Sequence, residues 1–322
     1  MPIALACQSD ACQPVRSDGL TTFASMPRGI TARISPSLRF TLLCAVSLVI
    51  GWRTLFGTFA LALRVDEYTH LLLILPISAF LIFSERELLK PPTEPAVALG
   101  SFFLIVAILL GGFSRATSPV DVQLSLSMLA IVIWWIGSFI VCFGTRTARL
   151  FLFPLCFLFW LVPIPAPLLE RIVAIWQHAS AISASLMFSA LGIPNTQDGV
   201  MLSIPGLNLE VAQECSSLRS SLMLIVTSMV LAQLFLQSFW RKTVVVLAAI
   251  PLSIAKNGVR IFTISMLGTR VDPGFLHGNL HRHGGIVFFL LALFAVVLLL
   301  WLLGRSESPH PAVTGLGKSQ LA

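Results

Sequence analysis

The sequence predicts an all-α polytopic membrane protein with about eight transmembrane helices, one interfacial or re-entrant helix and a small outer β-hairpin. Three observations point there. Of the 322 residues 56% are hydrophobic and only 11% are charged, where roughly 25% charged is usual for soluble domains. Mean hydropathy is +0.90. Apolar stretches long enough to cross a ~30 Å hydrocarbon layer recur along the chain. A soluble protein of this size needs a polar outer layer, and these residues do not supply one. The net charge of +7 is spread over single or paired Lys and Arg between apolar stretches. It reads as a topology signal, with the lipid bilayer as partner and no role for nucleic acid.

Residues 1–38 are rich in Ser, Pro, Thr and Arg without apolar periodicity, which predicts a disordered cytoplasmic tail. They lack the apolar core and small-residue cleavage site of a secretory signal. A membrane domain is expected over 39–304, followed by a cytoplasmic tail, 305–322, too short to fold alone. Spans are expected at about 40–63, 69–84, 96–113, 122–143, 148–165, 217–238, 243–267 and 285–303.

One further helical stretch, 167–192, carries Glu170, Arg171 and His178. If it does not cross, Arg86 and Lys90, Arg146 and Arg149, Arg241 and Lys242, and Arg305 with Lys318 share a side with Arg16, Arg28, Arg33 and Arg39. Positive residues collect in cytoplasmic loops, so both termini are expected in the cytoplasm. The 167–192 stretch then lies along, or dips into, the outer interface. Residues 193–216 alternate apolar and polar types around Pro205 and Gly206, which predicts a hairpin over the outer surface leading to Cys215. The PIPAP run at 163–167 marks a sharp exit from the fifth span.

The six cysteines divide by location: Cys7 and Cys12 in the tail, Cys44, Cys142 and Cys156 in spans, and Cys215 alone on the outer side. An exported thiol usually finds a disulfide partner, and Cys215 has none in reach. It heads CSSLRSSLML, where a helix begins. A helix N-terminus and nearby cations favour the nucleophilic thiolate. Arg219, four residues on, shares that helix face, where it either stabilises a thiolate or extends to the interface.

In the seventh span, KNGVR places Lys256, Asn257 and Arg260 in apolar surroundings, where an ionised side chain is expensive and faces a cavity or a partner. The fork of donors on Arg260 suits an oxyanion or a carboxylate. The last outer loop, GFLHGNLHRHGG, holds His277, His281 and His283, any of which is a candidate acid and base for Cys215. A three-histidine metal site is the rival reading; nucleophilic catalysis, needing no metal or cofactor, accounts better for the unpaired cysteine. DEYTH at 66–70 opens the second span and contains the only tyrosine, a usual interfacial anchor.

These residues, in this order, make the chain resemble the exosortase family, bacterial membrane enzymes paired with C-terminal sorting signals of the PEP-CTERM type. The likeness covers roughly 60–303: Tyr68, Thr69 and His70 at the second span, VPIP at the fifth, GLNLEVAQECSSLR into the nucleophile, Asn257 to Arg260, and His281 to Gly285. Two positions depart from the pattern, Ser217 and Leu71, where the family has glycines.

The resemblance implies an acyl-thioester on Cys215, with Arg260 and His281 as its catalytic partners and Arg219, Asn257, Tyr68 and His70 as substrate-binding candidates. It also implies membrane-anchored substrate proteins, an inner-membrane location and a site facing the periplasm. A transporter or export component for polysaccharide or lipid is the alternative, with Lys256 and Arg260 lining a path.

Overall fold

The computed structural model describes residues 35–89, 96–117, 119–210, 218–272 and 285–306. The two tails, Cys215, and the histidines at 277, 281 and 283 lie outside these residues. The described helices are α1 (Pro36–Ile50), α2 (Trp52–Arg64), α3 (Leu71–Ser84), α4 (Val97–Arg115), α5 (Val120–Leu150), α6 (Leu152–Phe157), α7 (Ala166–Ala190), α8 (Leu218–Phe235), α9 (Phe239–Arg270) and α10 (Gly285–Arg305). Among the described residues seven helices are long and apolar enough to cross a membrane, or up to eight if the bent pair α1 and α2 counts as one span. The chain is thus an all-α polytopic membrane protein with one small sheet.

Small residues and indole donors seat the first spans on α5. The 74° bend between α1 and α2 falls at Gly51, where a Cβ would stand 2.6 Å from Ile131 Cδ1 and 2.9 Å from the Ser47 carbonyl. Trp134 and Trp135 donate from α5 to the Leu43 carbonyl at 2.9 Å and the Ser47 hydroxyl at 2.8 Å. Along α4 and α5 the backbones nearly touch: a Cβ on Gly100 would lie 2.9 Å from Val141 N and 3.1 Å from the Gly137 carbonyl. Without water or an apolar solvent contrast between helices, such close van der Waals contact is what holds spans together.

The stretch expected as the fifth span, 148–165, is irregular. One helix over 148–165 does not form: α5 runs on to Leu150 past a non-helical Gly144 (φ 79°), α6 is six residues long, a 3-10 turn covers Leu158–Leu161, and 162–165 is non-helical up to α7. Pro163 and Pro165 account for the non-helical end at 162–165, since neither has an N–H to give a helix. At the usual rise of each conformation this path still covers about 30 Å. One end packs with Phe139, Phe143 and Leu155, and the other meets Tyr68 and Asp121.

Contacts sort the described residues into two ends. At the first, Phe40, Ile82, Leu89, Phe143 and Phe151 pack together, Arg241 donates to the Leu303 and Ser306 carbonyls at 3.0 Å, and Lys242 donates to Gln233 at 2.8 Å. Arg39, Arg86, Arg146, Arg149 and Arg305 belong to the same helix ends. The second end gathers 64–70, the start of α5, the VPIP segment and the start of α8.

α7 passes the length and composition test for a span, yet its contacts take it elsewhere. Its first residue is held by Asp121 at the second end. Val173 then packs on Leu218 and Leu222, Ser180 meets Asn257, and Phe188 meets Phe262 with ring centroids 4.8 Å apart. Ascending numbers on both helices mean that α7 runs parallel to α9, which itself is leaving the first end. A helix that starts at the second end and runs this way is not returning to the first.

Beyond it lies a three-stranded antiparallel sheet, β1 (Thr196–Asp198), β2 (Met201–Ile204) and β3 (Leu207–Glu210). The predicted hairpin at Pro205 and Gly206 is there (Gly206 φ 86°), and a second turn at Gly199 (φ 59°) adds a strand. Leu202 and Ile204 bury against Ala181, Ala184, Phe188 and Ile261. Sheet, α7 and the last turns of α9 thereby share one small core.

Candidate active site

α9 is 32 residues long, about 48 Å at 1.5 Å per residue, and so outruns a bilayer. Its tight antiparallel partner α8 has 18 residues. Lys256 donates a hydrogen bond to the Ser220 hydroxyl, which sets the start of α8 beside the middle of α9. The polar residues of KNGVR therefore lie where α8 begins, at the second end.

All three are buried: Lys256 is 6% exposed, Asn257 0% and Arg260 9%. No described Asp or Glu is buried. Burying two cations four residues apart costs several kcal/mol each before compensation, so this position is held by more than apolar packing. Asn257 Nδ2 donates to Ser180 Oγ at 2.9 Å across the α7–α9 seam, and Asn257 Oδ1 has no hydrogen-bond partner among the described residues.

Gly258 makes that seam possible. A Cβ there would stand 2.7 Å from Ser183 Cβ and 3.1 Å from the Ser183 carbonyl carbon. The small residues Ser180, Ala181, Ser183 and Ala184 form the facing stripe on α7. Sequence reasoning passed over this stripe, although its spacing of three and four residues was a signal for close helix contact.

The early motif has a different place. Tyr68 is buried and its hydroxyl donates to the Ile164 carbonyl at 2.6 Å. That bond satisfies an acceptor which the proline-broken segment leaves without a helical partner. His70 is also buried, with Nδ1 3.0 Å from the Glu67 carbonyl and its ring edge-on to Trp160 at 6.2 Å. Arg219, exposed, pairs with Asp66 at 2.7 Å. The second end is thus tied to α8 by the motif's acidic residue, which sequence reasoning had left without a role.

The structure brings Arg219 to DEYTH, and Lys256 with Asn257 to α7 and α8. The nucleophile and histidine candidates, Cys215, His277, His281 and His283, are outside the described residues, as is the rival histidine metal site. In the sequence Cys215 precedes the first described residue of α8 by three and follows β3 by five.

A family model, that of the transmembrane exosortases, matches residues 52–301. The chain belongs to the transmembrane exosortase family. That match spans every element from α2 into α10, so the exosortase assignment covers the bundle apart from α1, the sheet and the KNGVR segment. No curated protein and no solved structure matches the chain.

Proposed function

We propose that this exosortase is a membrane cysteine peptidase or transpeptidase that cleaves C-terminal sorting signals of the PEP-CTERM type. Cys215 is the nucleophile, Arg260 its basic partner and His281 the acid and base. The thiolate attacks the scissile carbonyl, Arg260 stabilises the oxyanion, and His281 protonates the departing amine. Water or an acceptor amine then attacks the acyl-thioester and releases the sulfur.

One observation carries this reading: the Lys256–Ser220 hydrogen bond brings a buried pair of cations to the level where α8 begins, three residues after Cys215. A charge developing in that apolar setting is stabilised far more than in water. Asn257 supports a role in substrate binding through its Oδ1, which has no hydrogen-bond partner among the described residues and suits a peptide N–H. Arg219 contributes to binding from the exposed rim, and Tyr68 and His70 act by holding that rim in shape.

We place the domain at 39–304 in a bacterial inner membrane, with both tails in the cytoplasm and the site towards the periplasm. The cluster of Arg and Lys at the first end supports that orientation. A substrate anchored by its own helix then presents its cleavage motif at the second end, and positioning contributes much of the rate. The test is co-expression with a PEP-CTERM substrate: Cys215→Ala and Cys215→Ser accumulate in the membrane and leave the substrate uncleaved. Cleavage by either alanine or serine variant at the wild-type rate would remove the cysteine from the mechanism.

A further inference from the structure

We propose that Lys256 and Ser220 form a positioning clamp that fixes the first turn of α8 against α9. The clamp sets the alignment of the proposed nucleophile with Arg260, so it rests on the cysteine reading above. Neither residue belongs to the catalytic set, and the clamp touches no reacting atom.

Four features support it. Lys256 is buried to 6% exposure on a helix interior, a place where an ammonium persists only with a dedicated partner. Its hydrogen bond runs to the Ser220 side chain, in the first described turn of α8. Lys256 and Arg260 are four residues apart on α9, and therefore on one face; whatever fixes Lys256 to α8 also fixes the level of Arg260. The opposite flank of this part of α9 is held by α7 through Ser180 and Gly258. α9 is thus a fixed rail, and the start of α8 is the element that the clamp adjusts.

A bond of this kind has a mechanical purpose that charge alone lacks. α8 is joined to α9 at its other end by the short link 236–238, and the apolar packing between the two helices is non-directional. A hydrogen bond with fixed geometry removes sliding and rotation of the helix start. A misplacement of 1 Å at reacting groups costs on the order of a hundredfold in rate.

The experiment is a double-mutant cycle on processing of a purified sorting-signal substrate, with Lys256→Met, Ser220→Ala and the double variant in the full-length protein. Each single variant lowers kcat about ten- to a hundredfold with KM unchanged, and the double variant is no slower than the slower single one. Lys256→Arg, which keeps a donor, recovers part of the loss only when Ser220 is present. Additive losses, a rise in KM with kcat intact, or wild-type rates in Ser220→Ala overturn the clamp. Ser220→Ala removes only a hydroxyl from an early helix turn, so it remains a test if Lys256→Met fails to accumulate. A cleaving Cys215→Ala variant sinks the cysteine reading instead, and the cycle then reports whether the two side chains still couple.

Discussion

Gly258 and Ser183 pack with no room for a side chain between α9 and α7: a Cβ on the glycine would stand 2.7 Å from the serine Cβ. Two helices that run parallel at the second end are therefore held at backbone distance beside Asn257, on the flank of α9 opposite Arg260.

Gly258→Val is expected to push this seam apart. An added methyl in a helix interior usually gains propensity over glycine, about 1 kcal/mol for alanine, but overpacking costs about 1–3 kcal/mol and here meets main-chain atoms. The variant should melt several degrees lower in detergent and lose processing. Gly112→Val makes the control, because nothing lies within 4 Å of a Cβ at that position. Equal melting temperatures for the two variants would contradict the seam.

Tyr68→Phe removes the donor that satisfies the Ile164 carbonyl at 2.6 Å. A buried acceptor left unpaired costs about 1–3 kcal/mol, more than the net worth of an ordinary hydrogen bond. Thermal unfolding in detergent should show a loss in this range while KM for substrate stays unchanged. A raised KM with full stability would instead make Tyr68 a substrate contact.

These two cases show what the sequence could and could not disclose. Span number, the hairpin at Pro205 and Gly206 and the buried polar run on α9 were legible because hydropathy, turn chemistry and intramembrane charge each leave a local mark. The exit at Pro163 and Pro165 was legible, but the interruption at Phe151 and the 3-10 turn from Leu158 were not, because apolar composition is blind to how the backbone is broken within a span. The Tyr68 to Ile164 and Lys256 to Ser220 pairs were illegible, since they join residues 96 and 36 positions apart and nothing local announces a partner. The extra strand β1 hides in a short polar stretch, TQD, whose pairing depends on the turn at Gly199.

Arg219 offers a sharper separation between structure and function. Its ion pair with Asp66 has both side chains largely exposed, at 51% and 79%, and pairs of this kind are worth under about 1 kcal/mol. Asp66→Asn should leave the melting temperature within a degree or two of wild type. Arg219→Gln should do the same and raise KM for the sorting signal several-fold, if the guanidinium meets substrate at the rim. An unchanged KM removes Arg219 from the binding surface.

The course of α7 decides where the site lies relative to the membrane. In a background without native cysteines, single cysteines at Ala166, Ser189 and Gln237 can be labelled in spheroplasts with a membrane-impermeant maleimide. Ala166 opens α7, Ser189 lies in its last turn, and Gln237 lies in the link between α8 and α9. If α7 runs outward beside the last half of α9, the first two react from outside and the third does so only after lysis. Should Ser189→Cys share the protection of Gln237→Cys, then α7 crosses. In that case the 162–165 segment would not be the return path, and the charges at Arg241, Lys242 and Arg305 would move to the side opposite Arg39. The positive-inside bias argues against that arrangement, because it would split the basic residues of the first end between two compartments although Arg241 contacts the end of α10 directly.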